Sequence, residues 1–271
     1  MRRLPVTIVV SVVILTVVLA CAIAGGLIAP HALRQSLYLG SVGAGQAGHL
    51  FGTDQLGRDV LQLSVAGARS ALAGPVLVAL GSMLIGVLMG TVAGYRGGAV
   101  DMLAGRYADL LLAMPAILLA IVVAGLLGGG YWIAVGVLVL LFSPSDVRLV
   151  RAAVMEQASR PYIESAKVLG IRPRRIMFRH VLPNVFPIIV ANVLLNVAFA
   201  LVALSSLSYL GLGVPPGAAD WGRQLADGRQ LLGSNPLASI VPGLLIILTA
   251  TAVNLLGDWI SDLLDRKVAT R

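Results

Sequence analysis

Five long stretches of the sequence contain no Asp, Glu, Lys or Arg, and they limit what the chain can fold into. They cover residues 4–33, 70–95, 110–145, 180–219 and 230–257 of the 271. A helix that crosses about 30 Å of hydrocarbon needs about 20 apolar residues, so each stretch can hold at least one span. The hydrophobic share of 58% also exceeds the roughly one half that is usual in water-soluble domains. The sequence therefore predicts a membrane protein.

The stretch 110–145 is long enough for two spans, because Gly128, Gly129 and Gly130 in its middle favour a tight turn. This brings the prediction to an all-α polytopic membrane protein with six transmembrane helices, since lipid cannot satisfy the free backbone groups of open strands. We expect Pro115 and Pro144 to kink the third and fourth spans or to free backbone carbonyls there. The predicted spans cover residues 5–29, 71–95, 108–127, 131–147, 186–210 and 238–258.

The distribution of cations predicts which side of the membrane each loop occupies. An even number of spans places both termini on one side, which would hold fifteen Lys and Arg residues against five on the other. This asymmetry follows the positive-inside rule, so we expect both termini to be cytoplasmic. The basic stretch Glu164–Asn184, between spans four and five, would then be cytoplasmic as well. The predicted outer cations are Arg34, Arg58, Arg69, Arg223 and Arg229.

The N-terminus has a second interpretation as a signal peptide, because the residues from Val18 to Cys21 loosely resemble a lipoprotein cleavage site. The apolar run continues beyond that point to Pro30, which favours a membrane span instead. Cys21 is the only cysteine, so an internal disulfide and a multi-cysteine zinc site are excluded. We expect Cys21 to pack inside the first span.

The loop between spans four and five has the pattern of two short helices joined at a glycine. Pro161 can begin the first helix, and Gly170 can take the left-handed conformation that ends it. Pro173 suits the first position of the second helix. That helix would run to about Val181, before Pro183 begins the approach to span five.

The first of these helices carries an apolar stripe at helical spacing, with Glu164 and Lys167 on its wetter side. Three interpretations of the loop are open: it collects cations only because it is cytoplasmic, it binds nucleic acid, or it docks on a cytoplasmic partner. A helix tethered this close to two spans can hardly reach a major groove, which disfavours nucleic acid. The stripe favours a protein partner, because a solvated loop has little reason to keep apolar residues on one face. Its members are Tyr162, Ile163, Ala166 and Leu169.

The uncharged residues of this loop follow a definite spacing. Glu164-Ser165-Ala166 is followed after three residues by Gly170, and nine further residues lead to His180-Val181-Leu182-Pro183. This spacing closely resembles the EAA loop of permease subunits of ATP-binding-cassette (ABC) importers, here over residues 156–184. Ser165 replaces the middle alanine of that pattern with another small residue, and His180 stands where the general pattern has isoleucine.

Three further segments resemble the dipeptide, oligopeptide and nickel branch of the same family. HLFGTDQLGRDV, from His49 to Val60, is similar to a signature ahead of the second span in its C-type subunits. LSYLGLGVPPGAADWG, from Leu207 to Gly222, is similar to their link between spans five and six. NLLGDWISDLLDRK, from Asn254 to Lys267, resembles their C-terminal end, although LDRK replaces the more usual LDPR. The chain thus resembles a C-type permease subunit of the type I (MetI-like) fold, in a prokaryotic plasma membrane.

The resemblance implies a division of the chain into four parts. Residues 1–30 would form an N-terminal transmembrane helix, 31–69 an extracytoplasmic segment with an elbow, 70–260 the permease core, and 261–271 a cytoplasmic tail.

The resemblance also implies partners and a coupling site. The partners would be a second, non-identical permease subunit of the B type, two cytoplasmic ABC ATPases and an extracytoplasmic solute-binding protein, with lipid around the spans and no nucleic acid. ATP and Mg²⁺ would bind to the ATPases, so that this chain would need no cofactor or metal. The coupling residues would be Tyr162, Ile163, Glu164, Ser165, Ala166, Leu169, Gly170, His180, Leu182 and Pro183. Short peptides are the first choice of solute, with nickel or another small solute as the alternative.

Two further patterns concern structure near span two. Thr53 can cap a helix, and Asp54 faces Arg58 at i, i+4, so an elbow is predicted on the outer face, either structural or in contact with a binding protein. The elbow residues are Gly52, Thr53, Asp54, Gly57, Arg58 and Asp59. Gly86, Gly90 and Gly94 recur every four residues and present a flat face for close packing, within the subunit or against its partner.

Energy coupling within this chain is disfavoured by the sequence. An ion-coupled carrier usually keeps ionisable residues near the membrane midplane, whereas Asp109, Asp146, Arg148 and Asp258 fall near the ends of the predicted spans. The chain has no Gly-Lys-Ser/Thr sequence for a P-loop. Its three histidines are scattered, which disfavours a membrane enzyme. A secondary carrier or channel that works alone is the alternative from another class.

Overall fold

The computed structural model describes the backbone of residues 5–269 and the side chains of residues 5–263. Within these ranges the regular structure is helical, apart from one isolated bridge between Thr53 and Asp59. The α-helices are α1 (Val6–Ile28), α2 (Val60–Arg96), α3 (Gly98–Leu112), α4 (Ala116–Leu126), α5 (Tyr131–Ala158), α6 (Pro161–Val168), α7 (Pro173–Ile176), α8 (Leu182–Tyr209), α9 (Trp221–Gly228) and α10 (Leu237–Ala269). A π-helical turn (Met177–Val181) joins α7 to α8, and a 3₁₀ turn (Arg229–Leu231) follows α9. Arg2, Arg3, Arg266, Lys267 and Arg271 of the predicted cytoplasmic side lie outside the described side chains.

Five helices are long and apolar enough to cross a membrane, namely α1, α2, α5, the continuous helix Pro173–Tyr209, and α10. The remaining predicted span corresponds to α3 and α4 together, which are bent by 85° at the break between them. Pro115 causes this break, because it lacks a backbone N–H and disfavours helical geometry in the residue before it. The bend expected at Pro115 is thus confirmed, but a single helix over 108–127 is wrong. Pro144 lies inside α5 and does not end it.

The four-residue glycine repeat lets α2 and α5 approach closely. A Cβ added to Gly86 would stand 2.6 Å from Cβ of Asp146, and one added to Gly94 would stand 2.7 Å from the carbonyl oxygen of Arg151. A Cβ on Gly90 would likewise be 2.8 Å from the carbonyl oxygen of Val147. The glycine face therefore packs within the subunit. Residue numbers rise together along both helices, so α2 and α5 run in the same direction.

The start of α2 differs from the prediction. The helix begins at Val60 rather than near residue 71, and its N-cap is Asp59, whose side chain accepts a hydrogen bond from the backbone N–H of Gln62. Thr53 does not cap a helix. Its hydroxyl instead accepts from the N–H of Val42 at 2.8 Å and donates to the carbonyl of Gly40 at 2.7 Å. Residues 60–69, predicted as the last part of the extracytoplasmic segment, are therefore the first turns of α2.

Two connections close the bundle at the end where α5 begins. Gly128, Gly129 and Gly130 all have positive φ angles, as predicted for the turn before α5, and the N–H of Gly130 donates to the carbonyl of Leu212. Trp221 at the start of α9 is buried, and its indole N–H donates to the carbonyl of Ser64 at 2.8 Å. Cys21 packs in the same apolar cluster as Trp221, which confirms its expected packing role in the first span.

Candidate functional site

The short helix α6 is fixed to the rest of the subunit by two buried side chains. Ile163 is fully buried and Ala166 is nearly so. Both belong to a cluster at the ends of α5 and α8, whose other buried members are Met83, Val150, Val154, Ile176, Val181, Val185 and Ile189. Burying one isoleucine side chain stabilises such a contact by about 1.5–3 kcal/mol. Any force on α6 is therefore passed to α5 and α8.

The other side of α6 is open and apolar at its end. Val168 is 88% exposed and Leu169 is 78% exposed, whereas Tyr162 is 42% exposed. The prediction of one stripe that presents Tyr162, Ile163, Ala166 and Leu169 together is therefore wrong. Ile163 and Ala166 share the inward face at i, i+3, while Leu169 follows the last helical residue, where the chain turns outward.

Gly170 ends α6 in the manner expected. Its φ of +71° lies in the left-handed region, and its N–H donates to the carbonyl of Lys167 at 3.0 Å. The N–H of Ile171 donates to the carbonyl of Ala166 at 3.2 Å, which completes the helix end. No atom lies within 4 Å of a Cβ placed on Gly170. Glycine is thus required here by backbone conformation and not by lack of space.

Polar contacts hold α6 against the neighbouring helices. The hydroxyl of Tyr162 accepts from the side-chain amide of Asn184 at 3.0 Å and donates to Oε1 of Gln157 at 3.2 Å. The same amide of Asn184 donates to the carbonyl of His180 at 2.8 Å. The ammonium of Lys167 lies 5.8 Å from the ring centroid of Tyr95, a cation–π contact with the end of α2. These contacts involve four different elements, so α6 has a defined orientation.

Glu164 and Ser165 lie on the exposed part of α6. The hydroxyl of Ser165 donates to the carbonyl of Pro161 at 3.2 Å, one turn back. Among the described side chains, Glu164 has no ion pair. Its carboxylate is therefore free to contact another molecule.

The second loop helix does not stop before Pro183, contrary to the prediction. α7 continues through the π turn into α8, and the N–H of Leu182 donates to the carbonyl of Met177, five residues back. Pro183 lies inside this continuous helix, just after the π turn, and local π geometry is one way in which a helix accommodates a proline. His180 and Leu182 are half-buried there, while Pro183 is exposed.

The predicted elbow residues form a second cluster, at the end of the bundle where α2 and α5 begin. We call it the outer loop cluster: Gly52, Thr53, Asp54, Gly57, Arg58 and Asp59. Asp54 and Arg58 are both buried, and Nε of Arg58 lies 2.6 Å from Oδ2 of Asp54, so their predicted pairing is confirmed. Nη1 of Arg58 also donates to the carbonyl of Gly217 at 2.8 Å. The pair therefore ties the elbow to the loop between α8 and α9.

Close backbone packing completes the outer loop cluster. A Cβ on Gly52 would stand 2.3 Å from the carbonyl oxygen of Val42, and one on Gly57 would stand 2.1 Å from that of Ser36. The side-chain amide of Asn235 donates to the carbonyls of Phe51 and Thr53 at 2.9 and 3.1 Å. Nδ1 of His49 lies 2.6 Å from Oδ2 of Asp59. Most polar groups of this cluster are thus satisfied within one chain.

The structure also reveals a polar site that the sequence interpretation missed. Asp146 is fully buried near the middle of α5, which continues to Ala158, beyond the predicted span end at 147. Its Oδ1 accepts from the side-chain amides of Asn192 and Asn196 at 2.7 and 2.8 Å, and its Oδ2 has no partner among the described residues. Because α2, α5 and α8 enclose it, Asp146 fastens α5 to α8 and does not face an open pathway. The sequence feature that could have indicated this site is the pair Asn192 and Asn196, two polar residues four positions apart within a predicted span.

Comparison with known proteins identifies what the chain is similar to. Residues 82–270 match the family described as "Binding-protein-dependent transport system inner membrane component". The dipeptide transport system permease protein DppC of Alkalihalophilus pseudofirmus is 36% identical over 222 residues, which is 82% of this chain and 73% of that protein. The di/tripeptide transport system permease protein DppC of Pseudomonas aeruginosa is 37% identical over 83% of this chain and 74% of its own length. The glutathione transport system permease protein GsiD of Pectobacterium atrosepticum is 38% identical over 81% and 73%.

A solved structure supports the fold. A chain of the MetNI methionine ABC transporter, in an inward-facing conformation, superposes with a TM-score of 0.60 at 19% identity. The match covers 75% of this chain and 97% of that chain. The likeness extends to the arrangement of the helices and thus to the fold.

Proposed function

Because this chain belongs to the family of binding-protein-dependent transport system inner membrane components, we propose that it forms half of the translocation pathway of an ABC importer and that α6 is its coupling helix. The chain is a multi-pass protein of the prokaryotic plasma membrane and a permease subunit. Hydrolysis of ATP, with its Mg²⁺, takes place in partner subunits, and this chain supplies the path and the mechanical connection.

The two-faced character of α6 is the observation that carries the proposal. Ile163 and Ala166 bury one side against the subunit, while Val168 and Leu169 stay exposed on a helix that is held rigidly. Two exposed apolar side chains beside a tight turn are unfavourable in water, but they can insert into an apolar groove on another protein. Glu164 adds a free carboxylate on the exposed part, which sets the register by polar contact.

The mechanism follows from how α6 is attached. When ATP brings the two ATPases together, the coupling helices seated on them move with them. The buried contacts of α6 pass that movement to α5 and α8, and the Asp146 contact with Asn192 and Asn196 keeps those two helices together. The spans then change from inward-facing to outward-facing, and hydrolysis resets them.

The remaining partners follow from the complex. We infer a second, non-identical permease subunit of the B type, two cytoplasmic ATPases and an extracytoplasmic binding protein. The cytoplasmic side is then the side of α6, and the outer loop cluster faces the binding protein. A rigid outer loop cluster suits that contact, because binding to a surface that is already ordered does not cost the conformational entropy of ordering it.

Short peptides are the proposed solutes. The proposal rests on the peptide systems named for the relatives, DppC among them. The described part of the chain has no group of three or more His, Cys, Asp or Glu residues that could hold a metal ion, which disfavours direct ligation of nickel. A nickel chelate or another small solute is the alternative, which a binding assay on the cognate binding protein distinguishes.

The coupling role is tested first at exposed side chains, where a replacement does not disturb folding. Leu169→Asp in the assembled importer should abolish solute-stimulated ATP hydrolysis and uptake, because a charge cannot enter an apolar groove. Leu210→Asp, at a leucine that is 54% exposed at the opposite end of α8, is the matched control and should leave both activities intact. Gly170→Val and Glu164→Lys should also uncouple the complex. Normal stimulated hydrolysis and uptake in all three α6 variants would refute the docking role.

A stand-alone carrier makes a different prediction. The purified chain in sealed vesicles, without ATPases, should take up no peptide if the importer proposal is right. Uptake driven by an ion gradient alone would support the carrier instead.

A further inference from the structure

A basic surface lies where the chain enters the span of α8. We call Arg172, Arg174, Arg175, Phe178 and Arg179 the basic surface. All five side chains are exposed, and 46% of Phe178 is accessible. None of the four arginines pairs with a carboxylate among the described side chains. The opposite side of the same segment is buried through Ile176, Met177 and Val181.

The basic surface lies where the charge-free part of this helix begins. Residues Pro173–Tyr209 form one continuous helix of membrane-spanning length. Its charge-free part starts directly after Arg179, and Arg175 is one turn, about 6 Å, further away at 1.5 Å per residue. Cations beside an apolar span are in the region where lipid headgroups are expected, and the long side chains of arginine extend their reach toward the phosphates.

The exposed aromatic ring adds a second indication. Phe178 lies between Arg175 and Arg179 on the outward side of the helix and buries no part of the core cluster. Phe is common, with Trp and Leu, on the apolar face of helices that lie at a membrane interface. The positive-inside rule alone explains cations anywhere in a cytoplasmic loop. It does not explain why they gather on one helical face around an exposed ring.

We propose that the basic surface binds the phosphate of anionic phospholipid headgroups, with Arg175 and Arg179 as the principal contacts and Phe178 beside them at the interface. Clusters of Lys and Arg beside a membrane-spanning helix attract such lipids, and arginine pairs well with phosphate oxygens. Because Ile176 and Val181 share a cluster with Ile163, a bound headgroup also steadies the base of α6.

The binding can be measured by thermal unfolding of the purified full-length chain in phosphatidylcholine discs with increasing phosphatidylglycerol. Cys21 is the only cysteine and is half-buried, so its reactivity with a thiol dye reports unfolding. A ligand that binds the folded state raises the unfolding temperature. The measured quantity is the phosphatidylglycerol fraction at which the unfolding temperature has risen by half of its full increase. For Arg175→Gln/Arg179→Gln this fraction should be about 25-fold higher, since each lost arginine contributes a factor of about five.

The controls separate lipid binding from other effects. Arg34→Gln/Arg229→Gln removes two exposed cations from loops, and Arg175→Lys/Arg179→Lys keeps the charge. Both should respond to phosphatidylglycerol nearly as the unmodified chain does. All variants should unfold at the same temperature in pure phosphatidylcholine. An unchanged response of the Gln variant would overturn the proposal, as would equal stabilisation by free inorganic phosphate, since the site would then not belong to the lipid.

Discussion

The outer loop cluster and α6 lie at opposite ends of the same helices and are built on opposite plans. In the outer loop cluster, the side chains of Asp54, Arg58 and Thr53 form hydrogen bonds within the chain. The backbone around Gly57 packs too closely to leave room for a side chain there. In α6 the buried side is just as complete, but Val168 and Leu169 have nothing against them. The contacts of the outer loop cluster are made within a single chain, whereas the exposed residues of α6 gain contacts only when a second protein binds.

This difference separates stability from coupling. Changes in the outer loop cluster should lower the free energy of unfolding, because most polar groups there have a partner in the chain. Replacement of an exposed side chain of α6, as opposed to the left-handed Gly170, should leave unfolding unaffected and act only in the assembled importer. The predictions below test this separation, beginning with the largest expected effect.

Arg58→Ala should destabilise the subunit by about 3–5 kcal/mol, since it leaves the buried carboxylate of Asp54 without its partner. Arg160→Ala is the matched control at the other end, because Arg160 and Glu156 form an i, i+4 pair of the same order that is more than half exposed. That control should cost about 0.5 kcal/mol or less. Equilibrium unfolding in mixed micelles measures both. Equal losses would show that the two ends are not built differently.

Ile163→Ala should cost about 2–5 kcal/mol of unfolding free energy, because it opens a cavity in the cluster under α6. Leu169→Ala, six residues on, should change it by less than about 0.5 kcal/mol, since that side chain is 78% exposed. Stimulated ATP hydrolysis should fall in the Leu169 variant all the same. If Leu169→Ala unfolded as easily as Ile163→Ala, the open face of α6 would be packed in solution, contrary to this account.

Asp146→Ala should cost about 2 kcal/mol, because the amides of Asn192 and Asn196 lose their acceptor inside the bundle. Asp146→Asn keeps an acceptor oxygen of the same shape and should cost less than half as much. The free energies of unfolding of the two variants are compared by equilibrium unfolding in mixed micelles. A loss as large for asparagine as for alanine would mean that the negative charge, rather than the hydrogen bonding, holds α5 to α8.

The smallest difference in stability is expected between substitutions at two glycines with left-handed backbone conformations, Gly57 and Gly170. Gly57 and Gly170 have nearly the same φ, +69° and +71°, but only Gly57 would place a Cβ against another backbone. Gly170→Ala should therefore cost about 1–2 kcal/mol, which is the conformational penalty alone. Gly57→Ala should cost visibly more in the same unfolding experiment. Equal costs would argue that the close packing around Gly57 relaxes freely.

Much of the fold could be predicted, because lipid demands long uncharged helices and leaves little choice of structure. The break at Pro115, the turn at Gly128–Gly130 and the Asp54–Arg58 pair all depend on local chemistry that a sequence displays. The α-helical cap was assigned wrongly because Thr53 and Asp59 are both good caps. Tertiary hydrogen bonds from Thr53 to Val42 and Gly40 decided between them.

The site was harder to predict, since a helix of two turns has no periodicity long enough to show which side faces the core. The stripe at Tyr162, Ile163, Ala166 and Leu169 was correct in spacing and wrong in direction, because the burial of Ile163 depends on α5 and α8. Asp146 was missed for a similar reason. A charge-free stretch ends at residue 145, and the sequence does not show that α5 continues to Ala158 or that Asp146 contacts Asn192 and Asn196.

The central claim, that the exposed end of α6 seats on an ATPase, is tested most directly by site-specific photo-cross-linking in the assembled importer. A photoreactive amino acid is placed at Leu169 or, as the matched position at the opposite end, at Leu210, which is also exposed. The account predicts an adduct with an ATPase subunit from position 169 and none from position 210. An ATPase adduct from position 210, or none from position 169, would contradict it.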